Sequence, residues 1–348
     1  MLDSLGFAAY VSSFDENQPI WETYARRNAP VFLSLHISEE FSPDYCDRVR
    51  EICRFLRQRE FSIIADVSPK TARQFQQPDL CELAKSLDIW ALRVDYGFSP
   101  EEIAALAARM PVVVNASTTT RAEAEIITAG GGLVMAMHNF YPRPETGLDA
   151  AFFRTSTAQL QAAGLKVLAF IPGDAKLRGP MFQGLPTLEH HRFLPPSVCY
   201  ADLKANFQVD GIFLGDPALS ERELTRIQRY EREGIWEIPA YLEESWHSLY
   251  GRVFTCRPDS PASVIRFAES REYSCQGQTI LPDCCVARTK GCITVDNVSY
   301  GRYTGEVQLL RADLPGDTRV NVIGTVKPGY GLLADCVKNG QRFVLTKA

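Results

Sequence analysis

Short apolar runs alternate with amphipathic segments over about the first 220 residues of the chain. Nearly continuous apolar runs are typical of parallel strands that are buried on both faces. Eight runs are predicted to be such strands, at residues 6–12, 30–37, 62–67, 89–95, 111–116, 132–138, 166–171 and 210–215. Helical signals lie at residues 42–59, 99–110, 119–131 and 220–234.

The helical signals include recognisable start positions. Ser99, Pro100 and Glu102 occupy the cap, first and third positions of a predicted helix, and Ser42 is a plausible cap for the helix at 42–59. Eight strand–helix units of this size predict a (β/α)8 TIM barrel, an α/β fold. The alternative is a doubly wound open sheet. No glycine-rich turn follows the first predicted strand, so nothing favours a dinucleotide-binding fold.

The pattern changes at about residue 236. Short β-branched segments bounded by Gly, Pro, Asp and Asn follow, which are typical of an all-β module. We therefore expect a barrel domain at residues 1–235 and a small closed β-barrel domain at residues 236–348. The predicted segments of the second domain are RVFTCR, GCITVDN, GEVQLLR, RVNVIGTV, YGLLADCV and RFVLTKA.

Composition narrows the class of protein. The 348 residues are 45% hydrophobic and 23% charged, as in an ordinary globular protein. A formal net charge of −5 argues against nucleic acid as a partner, because phosphate binding needs clustered Lys and Arg. No apolar run reaches the length of a membrane span, and the N-terminus has no signal-peptide pattern. The ten cysteines include no CxxC pair, so we expect reduced thiols in a cytoplasmic protein.

Polar residues follow many of the predicted strands. Barrel enzymes place their chemistry at the carboxyl ends of the strands, so these residues are candidates for a shared pocket. The segment 172–196 is too rich in Gly and Pro for a single helix and is predicted to be an extended active-site loop that adds Arg178, Glu189, His191 and Arg192. The residues at predicted strand ends are His36, Asp66, Asp95, Asn115, His138, Asn139, Tyr141, Asp174 and Asp216.

Each of these residues has a structural alternative. An aspartate after a strand can cap the next helix, and a histidine there can be a hydrogen-bonded core residue. Their common position at the strand ends favours a polar, carboxylate-rich pocket, but it does not identify a reaction.

Several chemistries fit the sequence poorly. A pyridoxal-phosphate racemase needs a Schiff-base lysine at a strand end, and the first strand has none. His190 and His191 are adjacent, which is a poor spacing for a catalytic metal, and no GxSxG motif is present. We therefore expect no metal and no cofactor. Carboxylate acid/base or nucleophilic chemistry remains, for which glycoside hydrolysis is the commonest use.

Five motifs resemble those of the bacterial 6-phospho-N-acetylmuramidases. They are HNFYPRPETGL (138–148), RGP (178–180), GLPTLEHHR (184–192), DNVSYGRYTGEVQ (296–308) and NVIG (321–324). The resemblance covers essentially the whole chain. It implies a TIM barrel with a C-terminal cyclophilin-like domain. It also implies a cytoplasmic enzyme that releases N-acetylmuramic acid 6-phosphate from N-acetylglucosamine during cell-wall recycling.

The resemblance also implies roles for individual residues. It assigns the acid and its partner to a set of three carboxyl groups, Asp66, Asp95 and Glu189. It makes Arg192 and Arg302 candidates for the phosphate and the lactyl carboxylate, which a guanidinium fork can bind. Ala8 departs from the family pattern, which has serine there. The expected substrate-binding residues are His36, Asn115, His138, Asn139, Tyr141, Arg192 and Arg302.

Other functions and mechanisms remain open at this stage. The chain could be a sugar-phosphate isomerase or aldolase, or a non-catalytic barrel that binds a phosphosugar and signals through the β-domain. A glycosidase of this kind could be inverting, could retain by direct attack, or could use the 2-acetamido oxygen of its own substrate.

Overall fold

Eight parallel strands close into a barrel in the first part of the chain. The computed structural model describes residues 2, 4–25, 29–35, 44–94, 96–270 and 279–348. Strand order follows the sequence, and β1 pairs with β8 to close the barrel. The TIM-barrel prediction is therefore confirmed. The strands are β1 (Gly6–Ala9), β2 (Pro30–Ser34), β3 (Ser62–Val67), β4 (Ala91–Val94), β5 (Val112–Asn115), β6 (Val134–Met137), β7 (Lys166–Ile171) and β8 (Gly211–Leu214).

Helices follow most of the barrel strands. The predicted cap Ser42 lies outside the described residues, and Asp44 is the N-cap of the helix that begins at Tyr45. Ser99 and Glu102 form the predicted reciprocal capping box, and Thr120 and Glu123 form a second one. The helices in the described ranges are α1 (Gln18–Tyr24), α2 (Tyr45–Gln58), α3 (Thr71–Gln74), α4 (Leu80–Ser86), α5 (Pro100–Ala107), α6 (Arg121–Thr128), α7 (Ala150–Ala162), α8 (Pro196–Ala205), α9 (Glu221–Glu233) and α10 (Leu333–Cys336).

Alternate residues of each strand fill the barrel interior, because side chains on a strand point to opposite faces with a period of two. Gly6 is required at the β1–β8 seam, since a Cβ there would lie 2.5 Å from the ring of Phe213. The interior cluster comprises Leu2, Ala8, Tyr10, Phe32, Ile64, Ala91, Val113, Met135, Met137, Leu168, Phe170, Leu185 and Phe213. Continuing the same alternation by one step brings Asp66, Arg93, Asn115 and Asn139 to the carboxyl end of the barrel.

A curled seven-stranded sheet, mostly antiparallel, forms the second domain. The pair β15 and β9 is parallel, and the other strand pairs described in this sheet are antiparallel. The two edge strands, β10 and β11, are linked by a bridge between Cys256 and Phe267, so the sheet curls far enough for its edges to meet there. The strands are β9 (Ile235–Leu242), β10 (Val253–Thr255), β11 (Val264–Arg266), β12 (Cys292–Asp296), β13 (Val307–Leu310), β14 (Val320–Val326) and β15 (Arg342–Lys347), in the spatial order β10-β15-β9-β14-β12-β13-β11.

One predicted strand of the second domain is a helix. The segment YGLLADCV, residues 330–337, contains α10. Its apolar residues are mostly Leu and Ala rather than β-branched, and an apolar run this short does not distinguish a strand from a buried helical turn. The prediction also omitted β9, most of whose residues are buried.

The chain passes between two compact units three times. One unit comprises Met1–Pro196 and Phe207–Glu221, and the other comprises Ser197–Asn206 and Arg222–Ala348. Most of α8 and α9 therefore belong with the second unit. The domain boundary at residues 235 and 236 stays a prediction. All nine cysteines within the described ranges are free thiols.

A buried charge cluster holds α9 in the second unit. The Glu223 carboxylate accepts hydrogen bonds from the guanidinium of Arg226, from the Tyr330 hydroxyl at 2.7 Å and from the backbone N–H of Ser197 at 2.9 Å. Glu223 and Arg226 are almost completely buried, so their charges are compensated by each other rather than by water.

Removing Glu223 should therefore destabilise the protein strongly. Glu223→Ala leaves a buried guanidinium without its closest anion, and we expect the free energy of unfolding to fall by about 3–5 kcal/mol. Urea unfolding of the variant measures the loss. The control is Glu221→Ala in the same helix, for which we expect a change within about 0.5 kcal/mol. Equal effects of the two substitutions would contradict the role given to the cluster.

Candidate active site

A buried ion pair lies at the carboxyl end of the barrel. Asp66 in β3 and Arg93 in β4 are direct neighbours in the register of the two strands. The Arg93 guanidinium donates to Asp66 Oδ1 at 2.9 Å and also donates to Asn139 Oδ1 after β6. Asp66 is 5% exposed and Arg93 is 3% exposed. The ion pair fixes the orientation of both side chains, and Arg93 links two predicted site residues that lie far apart in sequence.

Aromatic rings lie beside this ion pair. The Phe140 ring contacts Tyr10, Phe32 and Phe170, with ring centroids 6.3, 6.3 and 5.1 Å away. The Arg93 guanidinium lies 6.0 Å from the centroid of Phe32. The mouth of the barrel therefore combines an apolar floor with a charged network on the side of β3 and β4.

Asn115 lies at the end of β5 and is 6% exposed. Its side-chain oxygen accepts from the backbone N–H of Ser117 at 2.9 Å. This local turn orients the amide at the carboxyl end of the barrel.

His138 faces the opposite side of its strand from Asn139. Its imidazole is completely buried, lies 3.1 Å from the Thr157 hydroxyl in α7 and packs against Phe153. Burial lowers the pKa of His138 to about 3, so the ring is neutral at physiological pH. This placement matches the alternative of a core histidine. The predicted sugar contact does not fit it, because the ring has no exposed surface.

Glu189 and Arg192 form a clamp on the loop after β6. The Arg192 guanidinium binds both carboxylate oxygens of Glu189, at 2.7 and 2.6 Å. Glu189 also accepts from the backbone N–H groups of Glu145 and Gly147, at 2.8 and 2.7 Å. Arg192 donates further to the carbonyls of Tyr141 at 2.9 Å and Gly184 at 3.1 Å. The clamp joins the loop after β6 to the segment 183–192.

The clamp changes the interpretation of three predicted site residues. The bound guanidinium of Arg192 lowers the pKa of Glu189 to about 2, so Glu189 has no proton to donate at neutral pH. The Arg192 side chain is only 1% exposed and its donors are directed at Glu189 and main-chain carbonyls, which does not fit the predicted phosphate contact. The backbone of Tyr141 is held through Pro186 and Arg192.

Two further acidic residues near strand ends accept hydrogen bonds from backbone N–H groups. Asp216 is 1% exposed and accepts from the N–H groups of Gly173, Arg178 and Leu185. Burial raises the pKa of Asp216 although these donors act in the opposite direction. Asp174 accepts from the backbone N–H and the hydroxyl of Ser220, at 2.7 and 2.8 Å, just before α9.

Three predicted residues remain to be accounted for. His36 and Asp95 fall outside the described residues. Arg302 belongs to the second unit, where its exposed guanidinium donates to the Tyr303 hydroxyl at 2.8 Å.

Sequence reasoning missed Arg93. The signal was present, because Arg93 is the one charged residue within the apolar part of the predicted strand IWALRVD before its terminal aspartate. A charge in a strand that is buried on both faces requires a buried partner.

The buried imidazole predicts a pH dependence of stability. Because the folded pKa of His138 is about 3 and an unfolded histidine titrates near 6.5, acidification protonates the unfolded chain first. This contribution should cost the wild type about 2 kcal/mol of stability between pH 7 and pH 5. We expect His138→Asn to abolish it, as measured by urea unfolding at several pH values. His190→Asn at an exposed ring is the control, and an unchanged pH slope in His138→Asn would refute the assignment.

The clamp predicts that Glu189 acts mainly on stability. Glu189→Gln should lower the free energy of unfolding by about 2 kcal/mol at pH 7, because Arg192 loses its anion. With a folded pKa of about 2, this advantage of the wild type is complete above about pH 4.5 and disappears as the pH falls towards 2. Urea unfolding at pH 7 and pH 3 measures both effects, with Glu145→Gln in the same loop as the control. If Glu189→Gln were fully stable but had lost its turnover, Glu189 would instead be assigned as the catalytic acid.

None of the helices in the described ranges has the length and apolar character that a membrane-spanning segment needs. A search of curated proteins found no match to the chain.

Two solved structures are similar over the whole chain. A conserved protein of unknown function from Enterococcus faecalis is 30% identical, with a TM-score of 0.83, and the match covers 99% of this chain and 96% of that one. An uncharacterised protein from B. cereus is 23% identical, with a TM-score of 0.81 and complete coverage of both chains. The second likeness shows the shared fold.

Two family models match consecutive parts of the chain. The N-terminal model of 6-phospho-N-acetylmuramidase matches residues 5–229, and the C-terminal model of the same enzyme matches residues 238–346. The chain therefore belongs to the 6-phospho-N-acetylmuramidase family, and it is a glycosidase.

Proposed function

We propose that this protein hydrolyses the glycosidic bond between N-acetylmuramic acid 6-phosphate and N-acetylglucosamine, in the cytoplasm and as a step of peptidoglycan recycling. The observation that carries the proposal is the buried Asp66–Arg93–Asn139 network at the carboxyl end of the barrel, in a chain of this family. Active sites of TIM barrels lie at that end.

Asp66 and Asp95 are the proposed catalytic carboxyl groups. They belong to neighbouring segments of sequence, at the ends of the third and fourth predicted strands. One carboxyl group protonates the leaving oxygen, and the other stabilises the positive charge at the anomeric carbon or supports its attack by water or the 2-acetamido group. Arg93 is a positioning residue, because it fixes the Asp66 carboxylate. Glu189 supports the site indirectly, because its carboxylate fixes the backbone of the loop after β6.

The remaining proposed contacts serve recognition of the sugar. Asn115 and Asn139 offer amide groups at the mouth, and His36 and Tyr141 are kept as candidates from the sequence. The ring of Phe140 supplies an apolar surface beside the Asp66–Arg93 pair, which suits the apolar face of a pyranose. No nucleic acid or membrane partner is proposed.

A product assay tests the proposed substrate. The purified protein is incubated with N-acetylmuramic acid 6-phosphate–N-acetylglucosamine and, separately, with its unphosphorylated counterpart, and the products are followed by mass spectrometry. We expect cleavage of the phosphorylated disaccharide. Binding without cleavage would overturn the proposal in favour of a sensor, and conversion of a monosaccharide phosphate alone would favour an isomerase or aldolase.

Asp66→Asn tests the assignment of the chemistry. We expect kcat to fall about 10²- to 10⁴-fold, which is the range for a positioned acid or base. Because the single change leaves the Arg93 guanidinium without its anion, the double variant Asp66→Asn with Arg93→Gln is measured as well, and thermal unfolding verifies that it is folded. Asp149→Asn is the control, because it makes the same exchange at the N-cap of α7, where asparagine also caps a helix well. Near-normal kcat in a folded Asp66 variant would exclude it from the chemistry.

A further inference from the structure

The loop after β7 is organised around one buried carboxylate. Asp216 accepts backbone N–H groups from three separate positions of this loop, Gly173, Arg178 and Leu185, at 2.8–2.9 Å. Gly173 has to lack a side chain, because a Cβ would lie 2.4 Å from the carbonyl oxygen of Ala218 and 2.8 Å from Cβ of Asp216. The backbone at Arg178 is fixed because its own N–H donates to the Asp216 carboxylate.

This fixed backbone places the Arg178 guanidinium over the mouth of the barrel. The guanidinium carbon lies 3.8 Å from the centroid of the Tyr10 ring, which is the distance of a close cation–π contact. Tyr10 is itself held at the end of β1, where its hydroxyl donates to the carbonyl of Gly215 at 2.6 Å and its ring contacts Phe140. Arg178 thus rests on the aromatic floor, on the β1 and β8 side of the barrel.

Among the described residues, the guanidinium donors of Arg178 have no acceptor. Throughout the ranges that the structure describes, its guanidinium makes no ion pair and no hydrogen bond, while it remains half-buried. Two other guanidiniums at this end of the barrel already have acceptors in the protein. Arg93 donates to Asp66 and Asn139. Arg192 donates to Glu189 and to main-chain carbonyls. A planar cation stacked on a ring, with its edge donors available, is arranged to receive an oxyanion.

We infer that Arg178 binds the 6-phosphate of the substrate. The inference rests on the proposed function, since it takes the substrate from there, and it replaces Arg192 as the phosphate ligand of the barrel. A phosphomonoester carries nearly two negative charges at neutral pH and three acceptor oxygens, so it gains more from a guanidinium than the singly charged lactyl carboxylate does. The Asp66–Arg93 pair lies at β3 and β4, and Arg178 lies over the end of β1, which is two strands from β3 in the order of the barrel. A bound sugar that spans the floor can present its anomeric carbon to the first and its phosphate to the second.

The test combines turnover with direct binding. The variants are Arg178→Gln, Arg178→Lys and the control Lys176→Gln, which removes the same charge from the same loop but from a side chain paired with Glu16 at 2.8 Å. Kinetics are measured with the phosphorylated disaccharide. Calorimetry measures the binding of N-acetylmuramic acid 6-phosphate and of N-acetylmuramic acid, and thermal unfolding verifies that each variant is folded.

We expect Arg178→Gln to weaken binding of the phosphorylated sugar about 10- to 100-fold, the range for a charged hydrogen bond, and to raise KM more than it lowers kcat. Arg178→Lys should recover part of the loss, and binding of the unphosphorylated sugar should not change. An equal loss for both sugars would overturn the inference and would indicate a lactyl contact or a structural role. Unchanged binding of the phosphorylated sugar would overturn it as well.

The two proposals fail in different ways. If the wild type binds N-acetylmuramic acid 6-phosphate through Arg178 but cleaves no disaccharide, the proposed function is wrong and the role of Arg178 stands. If the wild type cleaves the disaccharide and Arg178→Gln behaves like Lys176→Gln, the proposed function stands and another cation binds the phosphate.

Discussion

The two-residue alternation of a strand in a closed barrel determines which side chains reach the candidate site. Each barrel strand sends alternate residues inside, and the last inward residues form the mouth. Asn139 faces this mouth and meets Arg93, whereas its neighbour His138 faces outward and packs against α7. Neighbours in sequence therefore have different positions, one at the mouth of the barrel and one in the packing of its wall.

The charges in this barrel are stabilised in pairs. An unpaired arginine inside a barrel would cost several kcal/mol, because the interior cannot replace the water that a guanidinium loses. Asp66 supplies the opposite charge to Arg93 and Asn139 accepts a further hydrogen bond. Arg192 follows the same rule with Glu189. In both pairs the arginine determines where a carboxylate points.

Much of the fold follows from the sequence, because the apolar runs and the capping signals are local. The eight barrel strands and the start of α5 at Ser99 are of this kind. The segment 330–337 was wrongly predicted to be a strand, since short apolar runs suit either a strand or a helical turn, and it contains α10. At the site, residue type and strand-end position indicated the pocket but not the direction of each side chain. Glu189 and Arg192 looked like an acid and an anion ligand, and only the fold brings them together as a clamp.

The clamp on the loop after β6 is made almost entirely to main-chain atoms. Glu189 accepts from the N–H groups at positions 145 and 147, and Arg192 donates to carbonyl oxygens. Gly147 is constrained, because a Cβ there would lie 2.6 Å from Glu189, whereas the side chain of Arg143 is exposed. The backbone conformation of the loop therefore does not depend on the exposed side chains that it carries. Evolution can exchange those side chains, and so alter what the enzyme accepts beside its phosphosugar, without having to redesign the wall that carries them.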